Sequence, residues 1–246
     1  MASTKTAKLH KSFLDGPAPA LKRSDVNWEK GGLPEYEGLW AVILDGIVTE
    51  EECDQLVAAA EATTDGKWER AMVNIGGGKQ ALYDDVRNCG RIIWDDQELV
   101  NKLWARCASA VPEINELVDW PDVTGNGPAK RKETWKLSRL NERMRFLKYG
   151  PDEYFKAHCD GTYETPDKSE RSYFTLHLYL NEAGEQLKGG ATTFHSYNMG
   201  REIRVVPKVG RVLLFQHRGL LHSGEDVDKG LKLTLRTDIM YTKATE

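Results

Sequence analysis

The chain has 246 residues, of which 29% are charged and 40% are hydrophobic, and its formal net charge at pH 7 is −4. This size and composition are typical of a soluble globular protein with one sizeable core. The mild negative charge argues against nucleic acid as a partner, because nucleic-acid-binding domains are normally basic. No apolar run approaches the roughly 18 residues of a membrane span, so no membrane partner is expected.

The cysteines and the N-terminus indicate a cellular compartment. The four cysteines Cys53, Cys89, Cys107 and Cys159 are scattered without a CxxC pair, so neither a disulfide framework nor a zinc site is indicated. The first residues lack the apolar stretch of a secretory signal. These features predict a reducing, cytoplasmic location.

The first half of the chain predicts a support region that begins after an N-terminal arm. Residues 1–36 mix Pro, Gly, Lys and Ser without periodicity, which predicts a partly flexible arm. LWAVILD (39–45) reads as a buried strand. TEEECDQLVAAAEA then predicts a helix, because Thr49 and Glu52 have the spacing of a capping box and apolar residues recur with helical period. DQELVNKLWARCASAV predicts a second helix, so we expect 37–136 to pack on a core formed by the rest of the chain.

The remaining segments predict loops and strands. MVNIGGGKQALYDDVRNCGRII suggests strands joined by an exposed loop, and WPDVTGNGPAKRKE suggests a second loop. From residue 137 to 246 the chain contains short apolar runs separated by turn residues, which are RMRFLKY, YFTLHLYLN, ATTFHS, EIRVVP, GRVLLFQH and LKLTLRTDIMY. Helices followed by many short strands predict an antiparallel sandwich or barrel braced by helices on one side.

The last of these strands has a polar face that allows two interpretations. In LKLTLRTD the leucines at 231, 233 and 235 share one face, while the other face carries Lys232, Thr234, Arg236 and Asp238. YFTLHLYL alternates in the same way. The polar face either meets solvent or lines an internal cavity. In a cavity, the lysine and the arginine would require an anion.

The segment FKAHCDG carries a possible metal site. His158 and Asp160 lie two residues apart, so a strand would present both on one side. The spacing also occurs by chance, and either a strand end with a polar outer face or a structural His–Asp hydrogen bond would also explain it. A divalent ion would need a further ligand, and two histidines with one carboxylate are typical of non-haem Fe(II) oxygenases. His217 and His222 compete for this role, and we favour His222 because it follows a turn and precedes the final strand.

The order of these motifs resembles a known enzyme family. The stretch from RLNERMRFLKYGPDEYFKAHCDG through YFTLHLYLN, GGATTFH, PKVGRVLLFQH and LLHSGEDVDKGLKLTLRTDIMY resembles the 2-oxoglutarate- and Fe(II)-dependent oxygenases, in their prolyl 4-hydroxylase-like branch. The resemblance implies an α+β, mainly β fold: a double-stranded β-helix, or distorted jelly roll, braced by N-terminal helices. Its oxygenase core would occupy 137–246.

The resemblance also implies the residues of the site. His158, Asp160 and His222 would be the catalytic metal ligands. Four side chains would contact the cosubstrate, namely Lys232, Tyr179, Tyr149 and Arg236, although a structural pair of Arg236 with Asp238 or another nearby acid is an equal alternative. The cofactors implied are Fe(II), 2-oxoglutarate and O2, with ascorbate as a reductant.

The implied activity is oxidation of an unactivated C–H bond, coupled to conversion of 2-oxoglutarate to succinate. The substrate would be a peptide or protein side chain such as proline, or a small amino-acid-like molecule. We expect substrate contacts from Arg87, Asn88 and Arg91 in DVRNCGR and from the glycine-rich loop at 76–78. The alternative is a non-oxygenase jelly-roll module that binds metal without forming succinate.

Overall fold

A computed structural model describes residues 8–76, 79–83 and 85–244. The helices are α1 (Glu50–Ala62), α2 (Gln97–Cys107), α3 (Pro121–Thr124) and α4 (Asn126–Lys130), with 3-10 turns at Pro34–Tyr36, Ala108–Ala110 and Pro112–Ile114. The strands of the first half are β1 (Lys22–Asp25), β2 (Ala41–Asp45), β3 (Glu69–Arg70), β4 (Val73–Gly76), β5 (Lys79–Ala81), β6 (Arg87–Asn88), β7 (Gly90–Asp95) and β8 (Glu116–Leu117). Those of the second half are β9 (Trp135–Leu140), β10 (Arg143–Tyr149), β11 (Tyr154–His158), β12 (Glu170–Tyr179), β13 (Lys188–Gly189), β14 (Thr192–His195), β15 (Glu202–Val205), β16 (Val212–Gln216), β17 (His222–Gly224), β18 (Val227–Lys229) and β19 (Lys232–Lys243).

Two antiparallel sheets carry the fold. The major sheet has ten strands in the order β1-β2-β16-β12-β19-β10-β7-β3, with β9 also paired to β19 and β8 paired to β9. The minor sheet has five strands in the order β15-β14-β17-β11-β6. Non-consecutive strands pair within both sheets, so the chain crosses between them repeatedly. The predicted jelly roll, mainly β and braced by helices, is confirmed.

The helices α1 and α2 brace the major sheet. The Thr49 hydroxyl accepts a hydrogen bond from the Glu52 amide, and the Glu52 carboxylate accepts one from the Thr49 amide, so the predicted capping box is present. Arg106 of α2 donates to both carboxylate oxygens of Glu52 at 2.8 Å. One carboxylate thus caps α1 and joins it to α2, while Leu56 and Leu103 pack into the main apolar cluster.

The polar face of β19 points into the protein. Lys232, Thr234 and Asp238 are all at most 4% exposed, so the interpretation of a solvated face is wrong. On the opposite face Leu235 is buried in the main cluster. Leu231 was expected to share this apolar face, but it precedes the first residue of β19 and is 49% exposed.

Two segments differ from the expectations drawn from the sequence. Within residues 8–36, β1 pairs with β2, and Trp28, Leu33 and Tyr36 are buried in an aromatic cluster with Phe194. Isolated large side chains anchor this segment, and they leave no periodic pattern in the sequence. WPDVTGNGPAKRKE contains α3 and α4 rather than only a loop. Within the described ranges, no helix is both long and apolar enough to cross a membrane.

Candidate active site

Three potential metal ligands meet on the minor sheet. His158 ends β11 and His222 begins β17, and the two residues are direct partners in the antiparallel register of these strands. Asp160 follows His158 by two residues. Its Oδ1 lies 3.5 Å from His158 Nε2 and 3.9 Å from His222 Nε2. One atom from each residue lies within 4.8 Å of the others, which is close enough for a single ion to contact all three.

Backbone carbonyl groups orient both histidines. His158 Nδ1 lies 2.8 Å from the Lys156 carbonyl oxygen, and His222 Nδ1 lies 3.0 Å from the Leu220 carbonyl oxygen. Each Nδ1 therefore carries a proton that it donates to a carbonyl oxygen, while each Nε2 lies on the side of Asp160. Burial lowers the pKa of His222 to about 3, so its imidazole is neutral. His158 Nε2 is buried and has no hydrogen-bond partner among the described residues. This state of the rings suits metal ligation.

The major sheet holds the carboxylate in place. Thr175 Oγ1 donates to Asp160 Oδ2 at 2.6 Å, and Arg236 Nη2 lies 2.9 Å from the same oxygen. Oδ1 is thereby left to face the two histidines. Burial alone would raise the pKa of Asp160, but the charge of Arg236 holds it well below its usual range. Arg236 thus pairs with a nearby acid, which was one of its two expected roles.

His217 does not join this group. Its side chain is 3% exposed, and its Nε2 lies 3.8 Å from Asp238 Oδ1. The partnerless Nε2 of His158, the neutral imidazole of His222 and the oriented carboxylate of Asp160 form the donor set that Fe(II) prefers in proteins. The residues present therefore fit a metal ion.

A cavity beside the three ligands contains a buried lysine. Lys232 is 2% exposed, and its Nζ lies 5.1 Å from the ring centroid of Tyr149 and 6.0 Å from that of Tyr179. No carboxylate of the described residues forms an ion pair with it, and burial lowers its pKa to about 8. Gly190, at φ +73°, makes room for the side chain, since a Cβ there would lie 3.1 Å from Lys232 Cδ. A buried cation without a counterion indicates a site for an anion.

The cosubstrate candidates divide into two groups. Lys232, Tyr149 and Arg236 line the cavity. Tyr179 lies behind it, because its hydroxyl donates to Thr192 Oγ1 at 2.7 Å and Thr192 is the residue that reaches the cavity wall. A direct contact between Tyr179 and the cosubstrate stays a prediction.

The substrate candidates in DVRNCGR belong to strands rather than to an exposed loop. Arg87 is buried, lines the cavity and places its guanidinium carbon 4.5 Å from the ring centroid of Phe155. Asn88 is half-buried in β6, and Arg91 is buried with its Nη2 2.7 Å from Glu69 Oε1. Neither Asn88 nor Arg91 lines the cavity, and their expected contact with substrate stays a prediction. Of the glycine-rich loop at 76–78, positions 77 and 78 lie outside the described residues.

The sequence reasoning missed several residues that line the cavity. They are Phe155, Thr175, His177, Thr192 and Ser223. The alternation in YFTLHLYL did place Thr175 and His177 on one polar face, so a signal for these two was available. Nothing in the sequence marked Thr192 or Ser223.

Residues 144–237 match the family model of the 2OG-Fe(II) oxygenase superfamily. This part of the chain is a 2OG-Fe(II) oxygenase domain. The match spans the three ligand candidates as well as Lys232 and Arg236. The predicted enzyme class is confirmed: a 2-oxoglutarate-dependent dioxygenase, whose family uses Fe(II), 2-oxoglutarate and O2. No curated protein matches the chain in sequence.

Three solved structures share the fold of the oxygenase. A viral collagen prolyl hydroxylase from Paramecium Bursaria Chlorella virus-1 has a TM-score of 0.52 at 19% identity, with 84% of this chain and 98% of that chain covered. A Pseudomonas putida prolyl-4-hydroxylase has a TM-score of 0.54 at 13% identity, with 86% and 96% covered. A Trichoplax adhaerens prolyl hydroxylase, in complex with a peptide of hypoxia inducible factor, has a TM-score of 0.55 at 13% identity, with 85% and 87% covered.

Proposed function

We propose that this oxygenase hydroxylates a prolyl residue within a peptide, with Fe(II) held by His158, Asp160 and His222. Lys232 would bind the distal carboxylate of 2-oxoglutarate. One observation carries the proposal: two imidazole nitrogens and an oriented carboxylate oxygen converge beside a buried lysine that forms no ion pair with a carboxylate of the described residues. Within a 2OG-Fe(II) oxygenase domain, this arrangement supports a metal site next to a cosubstrate site.

The protein side chains have distinct roles in this mechanism. When bound, Fe(II) supplies the chemistry that couples decarboxylation of 2-oxoglutarate to insertion of oxygen into a C–H bond. Arg236 and Thr175 hold one oxygen of Asp160, so that the other is directed at the ion. Lys232, which is 2% exposed, would neutralise the distal carboxylate. The rings of Tyr149 and Phe155 form the apolar part of the wall.

A groove next to the cavity supports an extended substrate. It has a volume of about 630 Å³ and shares Phe155, Ser223 and Gly224 with the cavity wall. A free amino acid would leave most of this groove unfilled. The three similar structures are named as prolyl hydroxylases, one of them with a bound peptide. We therefore favour peptidyl proline over a small amino-acid-like substrate.

The test is turnover with matched substrates. The protein is incubated with Fe(II), 2-oxoglutarate, O2 and ascorbate, and either with peptides that contain proline or with free L-proline. Succinate is quantified, and each substrate is examined by mass spectrometry for the gain of one oxygen atom. We expect both products with at least one peptide, and neither with His158→Ala.

Three outcomes would count against the proposal. Oxidation of free proline alone would exclude the peptide as the substrate. Oxidation of a peptide at another residue would exclude proline. Tight metal binding with no succinate under any condition would favour the alternative of a non-oxygenase metal-binding module.

A further inference from the structure

His177 has a buried ring nitrogen without a partner in the wall of the cavity. The residue lies on β12 between Thr175 and Tyr179, and it lines the cavity with Lys232 and Arg236. Its ring as a whole is only partly buried, whereas its Nε2 is buried and has no hydrogen-bond partner among the described residues. A buried polar atom without a partner is unfavourable, so this nitrogen points to a ligand that supplies the partner.

The position of His177 narrows the choice of ligand. On β19 its direct partner in register is Arg236, and the next pair on the same face is Tyr179 with Thr234. The rings of His177 and Tyr179 have centroids 4.8 Å apart. His177 therefore lies level with Arg236 and four residues along β19 from Lys232, and all three residues line the cavity. A cosubstrate held in this cavity is therefore bordered by His177.

The charges around His177 favour a hydrogen-bond acceptor. Burial, followed by the charges of Lys232 and Arg236, lowers the pKa of His177 well below its ordinary value, and His222 acts in the same direction while Asp160 opposes it. The imidazole is thus neutral and has one N–H to donate. Because Asp160 already engages Arg236, a carboxylate from outside the protein is the acceptor that suits both His177 and Lys232.

We infer that His177 is a further cosubstrate-binding residue, whose Nε2–H donates a hydrogen bond to a carboxylate oxygen of 2-oxoglutarate. The inference rests on the proposed function. A packing role would not require histidine, since the apolar side chains of Leu176 and Leu178 serve that purpose on the other face of the strand. A leucine in place of His177 would fill similar space without burying a polar atom.

The test is the dissociation constant of 2-oxoglutarate, measured by anaerobic titration of the Fe(II)-loaded protein. His177→Leu is expected to raise it about tenfold or more, since it removes a hydrogen bond to a charged acceptor. His177→Gln retains an N–H donor and should recover part of the loss. Fe(II) affinity without 2-oxoglutarate should be unchanged in both variants, and a structural role would not produce this separation.

Tyr173→Phe is the matched control. Tyr173 lies on the same strand, and its hydroxyl is also buried without a partner among the described residues, but it does not line the cavity. Its removal should leave the dissociation constant unchanged. If His177→Leu does not fold, His177→Met provides the apolar comparison.

The outcomes separate the inference from the proposed function. If wild type binds 2-oxoglutarate and the folded apolar variant binds it equally well, the inference on His177 is wrong and the proposed function stands. If the apolar variant loses Fe(II) affinity to the same extent, His177 acts on the metal site and the inference is also wrong. If wild type itself does not bind 2-oxoglutarate, the proposed function fails.

Discussion

The two sheets of the jelly roll contribute different halves of the site. The minor sheet carries His158 and His222, and β11 is half-buried or exposed along its whole length. The major sheet carries Thr175, Lys232 and Arg236 on strands that are covered on both faces over most of their length. The metal ligands thus lie beside a strand that is open to solvent, whereas the charged groups that orient Asp160 and attract an anion lie on strands in the interior. The five predictions below test this division.

The largest effect is expected at the metal ligands. Asp160→Ala removes the carboxylate and leaves Arg236 without its closest partner, so we expect loss of tight Fe(II) binding and of succinate formation. Equilibrium dialysis against Fe(II) under anaerobic conditions measures the first, and a turnover assay measures the second. His217→Ala serves as the control, because His217 is a buried histidine outside the group. Full metal binding by Asp160→Ala would exclude this site.

The next effect concerns the buried cation of the major sheet. Lys232→Met keeps the length of the side chain but removes its charge, so we expect the dissociation constant of 2-oxoglutarate to rise about 10- to 100-fold. Lys232→Arg keeps a positive charge and should lose less. Fe(II) affinity should remain unchanged in both. Unaltered cosubstrate binding by Lys232→Met would remove this residue from the site.

A third substitution, at Arg236 of the major sheet, should weaken Fe(II) binding through Asp160. Arg236→Met leaves Asp160 Oδ2 with Thr175 as its remaining donor, and loss of such a supporting contact typically weakens metal binding about 10- to 100-fold. Titration with Fe(II) without cosubstrate measures the effect. Arg145→Met is the control, because Arg145 pairs with Asp238 rather than with Asp160. If both variants bind Fe(II) equally, the link between Arg236 and the metal is wrong.

The dependence of cosubstrate binding on pH should follow from the buried lysine. The pKa of Lys232 is lowered to about 8 by burial, so the ammonium form that attracts a carboxylate predominates below this pH and disappears above it. We expect the affinity for 2-oxoglutarate to be constant below about pH 8 and to fall by up to tenfold per pH unit above it. Lys232→Arg should remove this decline, because arginine stays charged. A decline that persists in this variant would have another source.

The smallest effect is expected in the bracing layer. Thr49→Ala removes one half of the capping box of α1, and the free energy of unfolding should fall by about 1 kcal/mol. Denaturant titration measures this change. Affinities for Fe(II) and 2-oxoglutarate should be unaffected, because α1 supplies no residue to the cavity wall. A change in either affinity would mean that the bracing helix and the site are coupled.

Features that depend on local spacing could be predicted from the amino-acid sequence alone. Thr49 and Glu52 specify where α1 begins, because a capping box joins residues three apart. The alternation around Lys232 specifies which side chains share one face of β19, because a strand has a period of two residues. The pairing of His158 with Asp160 is local in the same sense. These features could be predicted without knowledge of any neighbour.

The tertiary structure decided which distant groups meet. The register of β11 against β17 brings His222 to His158, whereas His217 lies beside Asp238. The packing of the two sheets places Arg236 beside Asp160, and it lets the hydroxyl of Tyr179 donate to Thr192. For His158, Asp160 and Tyr179 alike, the sequence contains several other residues that could have made the same kind of contact. Burial and strand register selected among them, and neither is encoded in the spacing of a single segment.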